Sequence, residues 1–115
     1  MPRAMTLYWW PGCGTCRVSR AYLMERNASF EERDFFKQPL SKTEWCELLG
    51  GESARTVFNF ASRTFKASGL DAASLSDEQL LDLLASEPRY LKRPLLAVDG
   101  KLVAGATAQV LQRIV

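Results

Sequence analysis

Two cysteines separated by two residues are the side chains of this sequence best suited to covalent chemistry. They lie in the motif Cys13-Gly-Thr-Cys16, directly after an apolar run that stops at Pro11-Gly12. If a strand ends and a helix begins here, the helix amides and dipole stabilise a thiolate on Cys13, which is then the predicted nucleophile. Cys16 lies one helical turn further on, where its sulfur can attack a mixed disulfide on Cys13. We therefore predict Cys16 as the resolving thiol.

Other roles remain open for these cysteines. The pair could be small buried core residues, or half of a metal site completed by another chain. A Cys-x-x-Cys pair at a strand-to-helix turn within a βαβ unit is a strong redox signal, so the redox role is favoured. The third cysteine, Cys46, lies in a helical pattern between Trp45 and Leu48. It is predicted to be a buried and inert thiol.

The absence of histidine narrows the chemistry further. The 115 residues include 3 Cys and no His. This removes every Cys-His or Ser-His dyad, and three thiolates make a poor closed zinc site, which usually needs four ligands. We therefore expect no metal site and no bound cofactor.

Charge and hydropathy limit the partners and the compartment. The 15 basic and 13 acidic residues leave a net charge of +2, far from the basic balance of a protein that binds nucleic acid. The apolar run over residues 5–10 is too short for the core of a signal peptide or for a membrane span. We expect a cytoplasmic protein with no direct contact to nucleic acid or membrane.

Hydrophobic periodicity and turn residues predict alternating strands and helices. The predicted strands cover residues 5–10, 30–36, 94–98 and 101–104, and Asp99-Gly100 forms the turn of the final hairpin. The predicted helices cover residues 13–27, 41–49, 76–87 and 107–115, with a short helix and a loop over 54–70. Capping boxes begin at Ser41 and Ser76. The first helix is predicted to present Val18, Ala21, Tyr22 and Leu23 on its apolar side.

This order of elements is that of a thioredoxin-type α/β fold. The first two strands are expected to be parallel, joined by a right-handed crossover through the first helix. An antiparallel C-terminal hairpin completes a four-stranded mixed sheet. Residues 1–115 are predicted to form a single thioredoxin-like domain, with a helical insert at about 40–90 between strand 2 and the hairpin.

Three segments together resemble the arsenate reductase (ArsC) family, which includes the Spx-type regulators. They are the run Tyr8-Trp-Trp-Pro-Gly-Cys13-Gly-Thr-Cys-Arg17, the apolar strand after Arg93-Pro94, and Asp99-Gly-Lys-Leu-Val-Ala-Gly105. The resemblance covers nearly the whole chain and implies a thioredoxin fold with a helical insert. The attacking cysteine of that family matches Cys13, and its Cys-x-x-Cys members carry the second cysteine at Cys16.

The resemblance also implies an anion site built from arginines, whose guanidinium fork matches an oxyanion or a glutathione carboxylate. By position, the family's anion-binding residues match Arg63 in the insert and Arg93 before Pro94. For Arg63 the alternative is a solvated helix face. Arg93-Pro94 is expected to form the cis peptide bond that faces the cysteines in thioredoxin-like proteins. Trp9 and Trp10 are expected to be one core and one exposed side chain.

One departure bears on the substrate. Arsenate-reducing members with three arginines carry the third after the fourth strand, where this chain has Ala104-Gly105-Ala106. Glycine there resembles the Spx-type and glutathione-dependent thiol reductase branches.

The leading hypothesis is a thiol-disulfide oxidoreductase that reduces a disulfide or an arsenate-like oxyanion, with glutathione, glutaredoxin or thioredoxin as partner and electron donor. The alternative is an Spx-like redox-sensing transcriptional regulator that binds RNA polymerase. A third reading is an inert binding module that kept the fold without turnover.

Overall fold

Four short strands build a mixed sheet in this computed structural model, which describes residues 4–115. The strands, in chain order, are β1 (Met5–Trp9), β2 (Glu31–Asp34), β3 (Leu95–Val98) and β4 (Lys101–Ala104). Their order across the sheet is β2-β1-β3-β4, with β1 parallel to β2 and antiparallel to β3. The mixed sheet and the parallel first pair are therefore as predicted.

Five α-helices connect or follow the strands. They are α1 (Gly14–Glu25), α2 (Lys42–Leu49), α3 (Arg63–Ser68), α4 (Asp77–Ser86) and α5 (Ala108–Leu111), counted within residues 4–115. Contacts divide the chain into two units. The first holds the chain up to Gln38 together with Arg93–Val115, and the second is Pro39–Lys92. The single domain with an insert at about 40–90 stays a prediction.

The core of the first unit follows from the pleat of β1 and β3. Met5 lies opposite Val98 and Leu7 lies opposite Leu96, so these side chains share one face of the sheet. Leu23 of α1 belongs to the same cluster, which also includes Ala106 and Leu111. The order strand, helix, strand thus places the start of α1 at the end of β1, where the two cysteines lie.

The inward side of α1 differs from the predicted apolar face. Its buried residues are Cys16, Ser19 and Leu23, whereas Val18 is 58% exposed. Ser19 can occupy a core position because its hydroxyl donates a hydrogen bond of 2.8 Å to the carbonyl of Ala106. Ser19, which has this buried acceptor, therefore faces inward, and Val18, which periodicity favours for the apolar side, faces solvent.

Several element ends also differ from the predictions. β2 spans four residues because the chain turns after Asp34, whose Oδ1 accepts the N–H groups of Phe36 and Lys37. The C-terminal helix was predicted over 107–115 but ends at Leu111, after which two amides donate to carbonyls three residues back. The hairpin turn is as predicted, with φ of 49° at Asp99 and 78° at Gly100.

The second unit is helical and its boundaries follow capping chemistry. Ser41 and Ser76 both form complete capping boxes, as predicted, and Gly50 ends α2 in the left-handed region. The segment 54–70 contains a 3₁₀ turn at Ala54–Thr56 and then α3. Further 3₁₀ turns lie at Ala72–Ser74 and Pro88–Tyr90.

The prediction that Cys46 is buried is wrong. Trp45 and Leu49 are the buried residues of α2, and Cys46 is exposed. The physical reason is the helical period: positions four apart share a face, and the residue after Trp45 is rotated by about 100° from it.

Within residues 4–115 we find no helix with both the length and the apolar character needed to cross a membrane.

We predict that Ser19→Ala lowers the free energy of unfolding by about 1–3 kcal/mol, because it deprives the buried Ala106 carbonyl of its side-chain donor. Denaturant unfolding of both proteins measures the difference. The exposed Ser29 offers a matched control, and Ser29→Ala should change stability by less than about 0.5 kcal/mol. Equal losses in the two variants would contradict a specific role for the Ser19 hydroxyl.

Candidate functional site

Cys13 lies at the junction between β1 and α1. Its N–H donates to the carbonyl of Trp10 at 3.0 Å, which closes the turn through Pro11 and Gly12. Cys13 immediately precedes α1, and its Sγ accepts the N–H of Cys16 at 3.3 Å. The predicted strand, turn and helix are present, and the half-buried sulfur of Cys13 points at the unpaired amides of the helix N-terminus. This arrangement places that sulfur at the positive end of the helix dipole.

Cys16 lies one turn along α1 in a different environment. Its side chain is fully buried. Burial raises the pKa of the Cys16 thiol to about 12, and a hydrogen bond with the Cys13 side chain raises it as well, while the charge of Arg93 acts in the opposite direction. The two thiols are therefore unequal, with Cys13 accessible and Cys16 held in its protonated form.

The segment before β3 brings Arg93 and Pro94 to the same region. The Arg93-Pro94 peptide bond is cis, as the resemblance implied, and Pro94 is buried. The carbonyl of Pro94 accepts the N–H of Ala106 at 2.9 Å, and Ala106 in turn accepts the Ser19 hydroxyl of α1. These bonds tie the Arg93 segment to the helix that carries both cysteines.

Trp10 lies between the cysteine turn and Arg93. Its ring stacks on Phe36 with a centroid distance of 4.1 Å and an interplanar angle of 8°. The guanidinium carbon of Arg93 lies 5.8 Å from the centre of the Trp10 ring. Trp9 and Trp10 are both half-buried, so the expected pairing of one core and one exposed tryptophan is wrong. Each ring is instead partly covered by other side chains.

Three other arginines differ in their surroundings. Arg63 begins α3 in the second unit and is exposed, so its predicted role in anion binding stays a prediction. Arg17 is exposed and donates to the carbonyl of Pro11 at 3.2 Å. Arg20 forms an ion pair with Glu32 and covers Trp9. Of the four predicted site residues besides Arg63, all belong to the first unit: Cys13, Cys16, Arg93 and Pro94.

Sequence reasoning did not identify the groups that support this site. Ser19 lies among the apolar residues of α1. Its spacing of three from Cys16 and four from Leu23 places it on the same helix face as these two residues, and this spacing could have identified it. Nothing in the sequence around Phe36 indicated a role at the site. Its ring stacks on Trp10, and the two residues follow different strands, so their contact cannot be read from local sequence. Throughout residues 4–115, no group of three or more His, Cys, Asp or Glu side chains is arranged to hold a metal ion.

Comparison with known proteins connects this site to a family. A model of the ArsC family matches residues 8–114. The global transcriptional regulator Spx of Listeria innocua is 33% identical over 111 residues, covering 95% of this chain and 85% of the relative. Spx of Enterococcus faecalis is 30% identical over 111 residues, with 95% and 84% covered.

Solved structures agree with the fold. The arsenate reductase of Vibrio cholerae superposes with a TM-score of 0.80 over 97% of this chain and 98% of that chain. At 23% identity this likeness shows the fold alone. A protein of Streptococcus mutans, described as a possible arsenate reductase, is 33% identical with a TM-score of 0.69, covering 86% and 87%. The predicted thioredoxin-like fold is thereby confirmed.

We predict that iodoacetamide modifies Cys13 at least about tenfold faster than Cys16 at pH 8, because a raised pKa leaves little thiolate on Cys16. The rate at Cys16 should stay low between pH 6 and pH 10 and rise only as the pH approaches 12. Mass spectrometry of the labelled peptides measures each site, with the exposed Cys46 as internal reference. Labelling of Cys16 in the folded protein as fast as Cys46 would contradict the assignment.

Proposed function

The chain belongs to the ArsC family, and we propose that it acts as a thiol-disulfide oxidoreductase that reduces a disulfide or an arsenate-like oxyanion. The observation that carries the proposal is the unequal cysteine pair at the start of α1. Cys13 is accessible and accepts an amide hydrogen bond, while Cys16 is buried one turn away. Attack on a substrate needs an accessible thiol, and resolution needs a second thiol within reach of the first.

The first step uses Cys13. Its thiolate attacks one sulfur of a substrate disulfide, a new S–S bond forms to Cys13, and the substrate's own S–S bond breaks. The departing thiolate takes a proton from solvent. The amide of Cys16 holds the Cys13 sulfur at the helix N-terminus before attack and is released when the charge is lost.

The second step uses Cys16. Its thiol loses a proton and attacks the Cys13 sulfur, which expels the second substrate thiol and leaves a Cys13–Cys16 disulfide. Two contributions that raise the pKa of Cys16 come from Cys13, as a hydrogen bond and as a like charge, and both vanish when Cys13 becomes a mixed disulfide. The charge of Arg93 continues to lower that pKa. Resolution is thereby favoured only after attack has occurred.

The protein disulfide must then be reduced, and we propose glutathione or thioredoxin as the thiol donor. A donor thiolate attacks one sulfur of the pair, a second donor thiol completes the exchange, and both cysteines return to thiols. The two electrons thus pass from donor to substrate. A cytoplasmic location, where such thiols keep cysteines reduced, belongs to the same proposal.

Arg93 is proposed to bind the anionic part of the substrate. It is half-buried beside the cysteines, and its fork can hold a carboxylate or an oxyanion with two parallel hydrogen bonds.

A second candidate function is an Spx-like redox-sensing regulator that binds RNA polymerase. It is favoured by the 33% identity to the transcriptional regulator Spx of Listeria innocua. In this role a Cys13–Cys16 disulfide would remove the hydrogen-bonded thiol from the start of α1 and change that surface. Turnover would then be unnecessary.

We predict that Cys16→Ser accumulates a mixed disulfide on Cys13 when it meets a glutathione mixed disulfide, because attack survives and intramolecular resolution is lost. Intact-mass spectrometry under non-reducing conditions detects the adduct. Cys46→Ser is the matched control, since Cys46 is exposed on α2 and does not belong to the Cys-x-x-Cys motif, and it should keep wild-type turnover. An absence of adduct in a folded Cys16→Ser protein would contradict Cys13 as nucleophile.

Steady-state turnover separates the two candidate functions. Arsenate, a glutathione mixed disulfide and a protein disulfide are each supplied with glutathione plus glutaredoxin or with thioredoxin as donor. The proposed oxidoreductase turns over at least one of these combinations. Absence of turnover with all of them, together with redox-dependent binding to purified RNA polymerase, would favour the regulator instead.

We predict that Arg93→Lys lowers kcat/KM for an anionic substrate roughly ten- to a hundredfold, because lysine keeps the charge but loses the fork. Arg93→Ala should lower it further. Circular dichroism verifies that both variants are folded. Unchanged kinetics in both variants would remove Arg93 from the anion site.

A further inference from the structure

The Trp10 ring is fixed from two directions. On one side it stacks on Phe36 at 4.1 Å, and Phe36 is itself held by the turn in which its N–H donates to Asp34. At its edge the ring approaches Gly12 so closely that a Cβ there would lie 2.4 Å from it. Glycine at position 12 is therefore what allows the ring to lie against the cysteine turn.

Arg93 lies over the Trp10 ring, which these contacts hold in place. Its guanidinium carbon lies 5.8 Å from the centre of the Trp10 ring, within the range of a cation–π contact. The backbone of Trp10 also accepts the N–H of Cys13 at 3.0 Å. One residue thus joins the turn that carries the nucleophile to the cation proposed to bind the anion.

We propose that Trp10 is the positioning residue for Arg93, holding the guanidinium beside Cys13 so that anionic substrates are preferred over neutral ones. This inference rests on the proposed function, in which Arg93 is the anion contact. Trp10 acts through Arg93 and needs no contact with the reacting atoms.

Trp9, the last residue of β1 and the neighbour of Trp10 in the chain, provides a matched control. Its ring also lies beneath an arginine, with the guanidinium carbon of Arg20 4.8 Å from its centre. Arg20 also forms an ion pair with Glu32 of β2, so its charge already has a partner. Loss of the Trp9 ring removes an equivalent contact while leaving Arg93 and Trp10 in place.

The test compares two alkylating reagents that differ in charge. Iodoacetate is an anion and iodoacetamide is neutral, and both react with the Cys13 thiolate. Their rate ratio cancels changes in thiolate fraction and nucleophilicity, so it reports the local positive charge near Cys13. All variants are made in a Cys46→Ser background, which removes the other exposed thiol.

Trp10→Leu should lower the iodoacetate-to-iodoacetamide ratio about two- to fivefold, the effect expected from the loss of one exposed cation–π contact. Trp10→Phe keeps an aromatic face and should restore a ratio near that of the parent. Trp9→Leu should leave the ratio unchanged. In an Arg93→Ala background, which sets the lower limit, Trp10→Leu should cause no further decrease.

A second measurement uses turnover. For a glutathione mixed disulfide, Trp10→Leu should raise KM with little change in kcat, and for the neutral bis(2-hydroxyethyl) disulfide both constants should stay near the parent values. Gly12→Ala displaces the ring without removing it and should lower the alkylation ratio in the same direction. If Trp10→Leu does not fold, Gly12→Ala provides the test.

The inference is overturned by an unchanged ratio in Trp10→Leu or Gly12→Ala while Arg93→Ala lowers the ratio. It is also overturned by an equal decrease on Trp10→Leu with and without Arg93. An unchanged ratio in Arg93→Ala would overturn it as well. Failure of the proposed function is a separate result. It would appear as no turnover of any substrate while the alkylation ratios still follow the expected pattern.

Discussion

A buried hydrogen bond from the Ser19 hydroxyl to the Ala106 carbonyl holds the candidate site together. It fixes α1 to the segment after β4, and the amide of Ala106 binds the carbonyl of Pro94. The helix that carries both cysteines is therefore tied to the residue that follows Arg93. Because each buried polar group in this path has a partner, the path stabilises the site without the cost of an unsatisfied donor or acceptor.

The same helix makes two chemically similar thiols different. Cys13 precedes the first turn, where backbone amides lack partners within the helix, and its sulfur accepts one of them. Cys16 lies within the helix on its buried side, where removal from water raises the pKa of its thiol to about 12. A difference of three residues thus separates an anion-stabilising position from an anion-penalising one.

Aromatic packing around Trp10 also positions the residues of the candidate site. The stack of Trp10 on Phe36 joins the ends of two parallel strands, and the close approach to Gly12 joins that stack to the cysteine turn. Arg93 arrives from the other end of the chain and lies over the same ring. The anion preference that we propose depends on the details of this packing.

Features with local causes were predictable from the sequence alone. The Asp99-Gly100 turn, the two capping boxes and the Cys13-Gly-Thr-Cys16 motif before a helix each depend on residues within a few positions of one another. The two central strands, β1 and β3, followed from their apolar runs, and the family followed from motifs spread along the chain.

Features with distant partners were decided only by tertiary structure. The sequence could not indicate that Ser19 rather than Val18 is buried, because its acceptor lies 87 positions away. Cys46 proved exposed because the face of α2 that turns inward is chosen by the packing of Trp45 and Leu49. The contact of Trp10 with Phe36 and Arg93 likewise joins residues far apart in the chain. Periodicity defines which residues share a helix face. Whether that face is buried depends on which distant residues pack against it and form hydrogen bonds with its polar side chains.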